Sequence, residues 1–390
     1  MKLILHHGFV FNLILSFSLY GITIQQVSIP TFMQKYPLTD WIQCTQEYPF
    51  NFTPFPLYPE LIDNYVPRGC FKPVSILQIP DGTVSFCRHD RSGLSYVFFN
   101  DCFIVETQIK YLNWFEGEVF EVADISQNVP YIDGRLAILW HHFPECYGHW
   151  VFDVLGQLAM LEMHNVEYDY LCVPYCSKFM KESLELWGID ASKIIPLTAQ
   201  TGIHAQTIIM VTSVTQTYAW EGSKSNYNMD FVLQFIRDKL LSGVESINKT
   251  DNNFSKKIFI SRKGAPCRAV PNEDEIFALF ETRGFKRYEL TELSMAEQIM
   301  LFHQAQTIVS FVGSGSTNLI FCQPGTEYVE IVQSMVDATF FYMADIFKLR
   351  CSHINDSTLH DFLSGGQYTT SVRMLSVELV ENFLREHPEL

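Results

Sequence analysis

The chain is 390 residues long, enough for two domains of ordinary size, each with its own core. At 47% hydrophobic and 18% charged residues, its composition excludes disorder for most of its length. The formal net charge of −16 argues against broad binding of nucleic acid or an anionic membrane, so an anionic ligand requires a local cluster of Arg and Lys.

Met1-Lys2 opens an apolar run from Leu3 to Ile24, interrupted by His6, His7 and Asn12, with no Lys, Arg, Asp or Glu between Lys2 and Lys35. Residues 1–24 fit a signal peptide or a single-span anchor, near the roughly 20 residues that cross a bilayer. The plainer reading is a buried element of the first domain. Ten cysteines lack zinc-finger spacing. Sequons at Asn51, Asn248, Asn253 and Asn355 lean toward a secretory compartment. The expected location is the membrane or secretory pathway (Golgi or ER lumen in a eukaryote), with the cytoplasm as the alternative in a bacterium.

Residues 30 to 72, rich in Pro and aromatics, read as an irregular arm. From Val74 to Val122, β-prone runs and the turn signals Pro80-Asp81-Gly82 and Arg91-Ser92-Gly93 predict a small antiparallel sheet. From Arg135 strands alternate with helices. Strands are expected at Leu136–Trp140, Tyr170–Val173, Lys193–Leu197 and Thr207–Val211. Helices are expected at His149–Met163 and Ser177–Trp187, the second closed by Gly188. Polar Ser246–Lys257 reads as a linker, dividing an N-terminal domain, 25–250, from a C-terminal domain, 251–390. Beyond it the signals sharpen. Strands are predicted at Ile258–Ser261, Lys286–Leu290, Thr307–Val312 and Tyr328–Val332. Asn272 with Glu275, and Ser294 with Glu297, mark capping boxes, and a short helix is expected at Asn318–Cys322. Two α/β halves place a ligand cleft outside the carboxyl ends of their strands.

Three features of the C-terminal half suit an anionic ligand. Arg262, Lys263 and Arg268 form a basic loop after a strand, and arginine pairs with phosphate through a planar fork. Gly313-Ser314-Gly315-Ser316-Thr317, followed by Asn318, lets backbone N–H groups approach an anion at a helix start. Glu330 ends a strand as an acceptor for ligand hydroxyls. Each alone has a plainer reading, as a solvated loop, a common turn or a surface charge. In the N-terminal half, His149 and Asp153 share one helix face, an arrangement for taking a proton from a hydroxyl. A metal held by His142, Cys146 and His149 is the competing reading, opposed by Pro144 and Gly148, which break a continuous helix. A structural role for His149 beside Trp150 is the third.

The segment Gly148-His149-Trp150-Val151-Phe152-Asp153-Val154-Leu155 resembles the helix-opening segment of glycosyltransferase family 61. Ile258-Phe259-Ile260-Ser261-Arg262-Lys263, then Arg268 and Asn272-Glu273-Asp274-Glu275, are similar to that family's "ISR…R…NEDE" block. Gly284-Phe285, Leu293 to Ile299, Gly313, Gly315, Thr317-Asn318, Pro324-Gly325 and Glu330-Ile331 continue in the family's order. The likeness runs from about residue 75 to 335.

The resemblance implies a GT-B-like α/β fold: two Rossmann-type domains facing a cleft, with a small β-rich N-terminal extension. It implies an inverting transfer from a nucleotide sugar to a glycan, glycolipid or glycoprotein hydroxyl, without metal or other cofactor. By that analogy Arg262, Arg268 and Lys263 neutralise the donor diphosphate over the 313–317 loop. Asp153 is the preferred base, with His149 orienting the acceptor, and the reverse assignment stays open. The partners expected are the nucleotide sugar, the acceptor and a single N-terminal membrane contact, with no nucleic acid. One departure stands out: Val312 occupies the position where the family usually has histidine. A homologue that binds nucleotide sugar or glycan without efficient turnover is the alternative, and a metal-dependent hydrolase is the third reading.

Overall fold

The chain is seen in a computed structural model that describes residues 2–4, 16–19, 22–46, 48–49, 70–89, 93–99, 102–104, 119–122, 129–141, 143, 145–197, 202–220, 223–247, 253–265, 268–332, 337–355 and 374–390. They form two compact units. Unit 1 takes in the described residues of Met1–Pro49, Cys70–Gln216 and Phe231–Ile236; those of unit 2 lie in Thr217–Asp230 and Arg237–Leu390. The helix Asp230–Ser246 thus contributes to both units, and the division falls upstream of the polar segment where a linker is expected.

Unit 1 is built on a 12-stranded mixed sheet. Its parallel part runs in the order Ile194–Pro196, Tyr170–Val173, Tyr131–Ile138, Ile203–Val211. Ser75–His89 then pairs antiparallel with Ile203–Val211, and Gly93–Phe99 pairs antiparallel with Ser75–His89. The antiparallel sheet expected from Val74 is therefore not a separate layer. It is fused edge to edge with the α/β sheet. Leu77, Ile79, Leu136, Ile138, Ile208 and Met210 form one continuous core across that seam.

Pro80-Asp81-Gly82 lies inside the 15-residue strand Ser75–His89, where a turn is expected. A Cβ at Gly82 would come within 2.9 Å of the Ile208 side chain, so glycine there serves a close strand approach rather than a turn. Arg91 and Ser92 of the second turn signal lie outside the described residues. The expected arm forms the helix Ile29–Lys35 and the edge strand Asp40–Gln43, while its residues 50–69 lie outside the described residues. Within 1–24, Lys2–Ile4 and Ser16–Leu19 are strands, and Ile22–Val27 begins there. Among the described residues no helix is long and apolar enough to cross a membrane.

Unit 2 carries a five-stranded, wholly parallel sheet in the order Lys286–Tyr288, Lys257–Ile260, Thr307–Phe311, Glu327–Val332, Arg350–Asn355. Numbered along the unit, that order is 2-1-3-4-5, a doubly wound sheet whose switch point lies between Lys257–Ile260 and Thr307–Phe311. One face packs Phe259, Val309, Val329 and Ile331 against Phe277, Phe280, Val380 and Leu384. Those partners lie on the helices Glu273–Glu281 and Val377–Glu386. The strands of the second α/β run appear within a few residues of their expected bounds.

Two local expectations change. Ser294 and Glu297 form the capping box of helix Met295–Gln304, but Asn272 makes no side-chain cap. Its amide instead exchanges hydrogen bonds with the Leu375 backbone, at 2.8 and 3.0 Å. The Gly-Ser stretch is not an open loop either. A 3-10 helix, Ser314–Phe321, starts directly after Gly313 and ends one residue short of the expected helix.

Candidate active site

In unit 1 the strand Tyr131–Ile138 delivers His141 to the site through Leu139 and Trp140. The Gln157 carboxamide clamps the Trp140 backbone from both sides, its Oε1 accepting from Trp140 N at 3.0 Å and its Nε2 donating to Trp140 O at 3.1 Å. The opposing helix begins at Tyr147–His149, widens to a π-helical turn at Trp150–Val154 and continues as Leu155–Met163. The Leu155 N–H reaches the Trp150 carbonyl, the i→i+5 closure of a π-turn, a feature frequent at functional sites. The Trp150 indole N–H anchors the turn on Ser183 Oγ at 2.8 Å.

This wide turn buries Asp153 to 1% exposure, with His149 at 7% and His141 at 1%. His149 Nδ1 lies 3.0 Å and His141 Nε2 3.4 Å from Asp153 Oδ2. The other oxygen, Oδ1, accepts the Thr215 hydroxyl. The two imidazoles stack at 4.0 Å between centroids and 19° between planes. Phe143 N–H donates to His141 Nδ1 at 3.0 Å, which assigns the proton of a neutral His141 to Nε2, facing Asp153. When His149 donates from Nδ1, its basic lone pair is on Nε2. A buried carboxylate that orients an imidazole and stabilises its protonated form is an arrangement for general base catalysis.

Among the described residues, the group spaced to hold a metal is His141, His149 and Asp153. The expected set of His142, Cys146 and His149 includes His142, which lies outside the described residues. With its proton on Nε2, His141 presents no lone pair to an ion between these three.

In unit 2, Arg262 follows the strand Lys257–Ile260 and Gly313 follows Thr307–Phe311, one on each side of the switch point. A Cβ at Gly313 would overlap Arg262 Nη1, so the guanidinium rests directly on the glycine. Nη1 also donates to the Val312 carbonyl at 3.2 Å. Val312 therefore contributes a backbone acceptor, and its side chain is buried. Glu273, 2% exposed, fixes the basic segment: its carboxylate accepts Ser261 Oγ at 2.5 Å and Arg262 N at 2.8 Å. A fixed cation, extended glycine and helix start meet at one point, as an anion site requires.

The other expected residues separate into two groups. Gly315 sits against Leu290, and Ser314 is half-buried at the helix start. Lys263 lies on the surface, paired with Asp274 at 2.6 Å. Arg268 takes a left-handed conformation, φ 56°, and stands close enough to Glu330 to favour its ionised form. The remainder point inward. Asn318 reaches Gln298 Oε1 and the Gly315 carbonyl, both at 3.2 Å. Ser316 joins Ser310 and Tyr328 in a buried network, and Thr317 is 1% exposed.

Glu330, expected to accept ligand hydroxyls, is fully buried and takes the Tyr328 hydroxyl at 2.9 Å. Loss of solvation pushes its carboxyl up to about 8. Sequence reading misses Thr215, the hydrogen-bonding role of His141 and the positioning role of Glu273. Thr215 has no signal at all, since its partner is 62 residues away. Glu273 carries one, a carboxylate in the first turn of a helix beside a basic loop.

Residues 147–329 match the family model described as Glycosyltransferase 61. That span carries the glycosyltransferase 61 signature. It encloses His149, Asp153, Arg262 and the 313–318 turn, while Glu330 lies one residue beyond it. The function this family supports is glycosyl transfer. No curated protein matches the chain by sequence. Similar solved structures include the iron-containing dodecameric glycosyltransferase TibC from enterotoxigenic E. coli H10407, at 10% identity and TM-score 0.26, covering 66% of this chain and 75% of that one. TibC described as a heptosyltransferase in complex with ADP-D-beta-D-heptose gives 8% identity, TM-score 0.27 and the same coverage. Such scores are too low to establish a common fold.

Proposed function

We propose that the chain is an inverting glycosyltransferase, moving a sugar from a nucleotide donor to a hydroxyl of a glycan, glycolipid or glycoprotein without a metal. The observation that carries this reading is Arg262 seated on Gly313 at the switch point of a 2-1-3-4-5 sheet, where open α/β sheets bind phosphorylated ligands. Arg262 and the N-terminal amides of Ser314–Phe321 neutralise the charge that grows on the departing diphosphate, with Arg268 and Lys263 adding to the positive field. His149 Nε2 takes the acceptor proton as the acceptor oxygen bonds to the anomeric carbon and the bond from that carbon to the diphosphate oxygen breaks. Asp153 holds the resulting imidazolium. This division favours His149 as base over Asp153, whose oxygens are buried under their hydrogen-bond donors. A GT-B-like fold and a secretory or membrane setting belong to the same proposal.

Thermal unfolding of the full chain with UDP, GDP, ADP and CMP, in EDTA, tests the donor site. A ligand at 100 times its dissociation constant adds about 2.7 kcal/mol to stability, enough to raise Tm by a few degrees. A rise with one nucleotide, lost in Arg262→Ala, is the expected result. No rise with any of the four would count against the donor assignment. Val312 at the family's histidine position favours a second reading, in which the chain binds the nucleotide sugar and does not transfer it. That reading predicts the same Tm rise with no nucleoside diphosphate released in any acceptor panel.

A further inference from the structure

We infer that Arg237 is a positioning residue for the donor phosphates: it holds the far end of the 3-10 helix whose first turn meets Arg262 and Gly313, and cancels the negative charge there. The inference rests on the reading of that meeting point as the donor site. Helices of this type make poor hydrogen bonds and seldom run beyond about four residues. Ser314–Phe321 has eight, so its length needs support from outside. Along its side, Asn318 reaches Gln298, and Ser316 reaches Ser310 and Tyr328. At its end, where a helix leaves carbonyls without intrahelical partners, two side chains take over. Arg237 Nη1 donates to the Ile320 carbonyl at 2.5 Å and to the Cys322 carbonyl at 2.6 Å. His303 Nδ1 donates to the Phe321 carbonyl between them at 3.1 Å.

Arg237 comes from the helix Asp230–Ser246, is 9% exposed and lies over the Phe347 ring at 5.3 Å. Its hydrogen-bond partners are carbonyls rather than a carboxylate, so its charge faces the negative end of a helix dipole. That end carries about half an elementary charge, which a whole guanidinium outweighs. Helix and Arg237 together therefore present net positive charge toward the phosphates. At about 2 Å of rise per residue the cation lies about 16 Å behind the helix start. Burial leaves it less screened by salt than a surface lysine at that distance. Two effects follow. The first-turn amides stay aimed at one point, and the diphosphate meets a helix whose opposing negative end has been cancelled.

Hydrogen exchange of the full chain without ligand, read on peptides spanning residues 313–322, tests the first effect. Calorimetric binding of inorganic pyrophosphate, in EDTA, tests the second. Arg237→Gln has a shorter, uncharged side chain that cannot span both carbonyls. Exchange over 313–322 is expected to rise about tenfold in it, with the strands Thr307–Phe311 and Glu327–Val332 unaltered, and pyrophosphate to bind about tenfold more weakly. Arg237→Lys restores the charge without the planar fork, so the affinity returns to within about threefold of wild type while Tm stays lowered. A residue that only stabilised the fold would show affinity following Tm across the two variants. Unchanged exchange over 313–322 in a folded Arg237→Gln overturns the inference, as does equal pyrophosphate affinity in Arg237→Lys and Arg237→Gln. Should Arg237→Gln not fold, Phe347→Leu, which removes the ring beneath the guanidinium, is read in its place: faster exchange over 313–322 is expected, and unchanged exchange overturns the inference. A wild-type chain that binds neither pyrophosphate nor any of the four nucleotides fails the donor reading instead. The exchange result is read without ligand, so the two failures are distinguishable.

Discussion

Burial holds the Glu330 carboxyl protonated up to about pH 8, against 4.5 for the ordinary group. Between those values the folded chain keeps a proton that the unfolded chain releases, so stability falls as pH rises. The contribution is full below about 4.5 and gone above about 8. Its cross-strand neighbour His353 acts from the other side. Burial lowers His353 from 6.5 to about 4, so the unfolded chain takes up a proton that the folded chain refuses, and stability falls as pH drops through that range. Melting followed against pH is expected to show both limbs. Glu330→Gln flattens the alkaline one and His353→Gln the acidic one; an unaltered alkaline slope in Glu330→Gln would show that the carboxyl is not the titrating group. Gly313→Ala works through space alone, since φ 171° is extended backbone open to any residue. The new methyl displaces the Arg262 guanidinium. Its Tm without ligand stays within a few degrees of wild type, while the nucleotide-dependent rise disappears in the same melting panel.

At the scale of elements, two helix starts that look alike in sequence do different work. Ser294 and Glu297 close a reciprocal cap. Ser294→Ala is expected to cost about 1 kcal/mol, read from urea unfolding with an unchanged m-value. Asn272 ties its helix start to Leu375, at the entry to Val377–Glu386, the helix that covers one face of the second sheet. Asn272→Ala should cost more than Ser294→Ala and expose the C-terminal helix to limited proteolysis. Equal costs with no new cleavage would reduce Asn272 to an ordinary helix start. The difference explains what was legible. A capping box is local, its parts three residues apart, so pattern alone reveals it. A tie spanning 103 residues leaves no local trace, and the capping signal at Asn272 pointed to the right helix for the wrong bond.

Across the whole molecule the same rule separates what sequence yields from what only the folded chain contains. Alternating apolar runs and turn residues place the strands from Lys257 to Val332, and with them Arg262 and Gly313 just past two strand ends. Strand order was not readable, because parallel neighbours are joined by no local pattern, and neither was the seam by which Ser75–His89 joins Ile203–Val211. Glu330 was legible as a polar residue at a strand end and not as a buried one, since burial depends on the helices packed over it. The contact between Thr215 and Asp153 has a consequence for how the protein comes into being. A chain growing from its N-terminus holds both histidines and the aspartate long before Thr215 and the stretch Phe231–Ile236 have been made. Until Thr215 arrives, the Asp153 carboxylate lacks its hydroxyl partner, so a nascent chain carries these groups without their full alignment. The Asp153 cluster of unit 1 is thus timed by translation, completed only once Thr215 has been made.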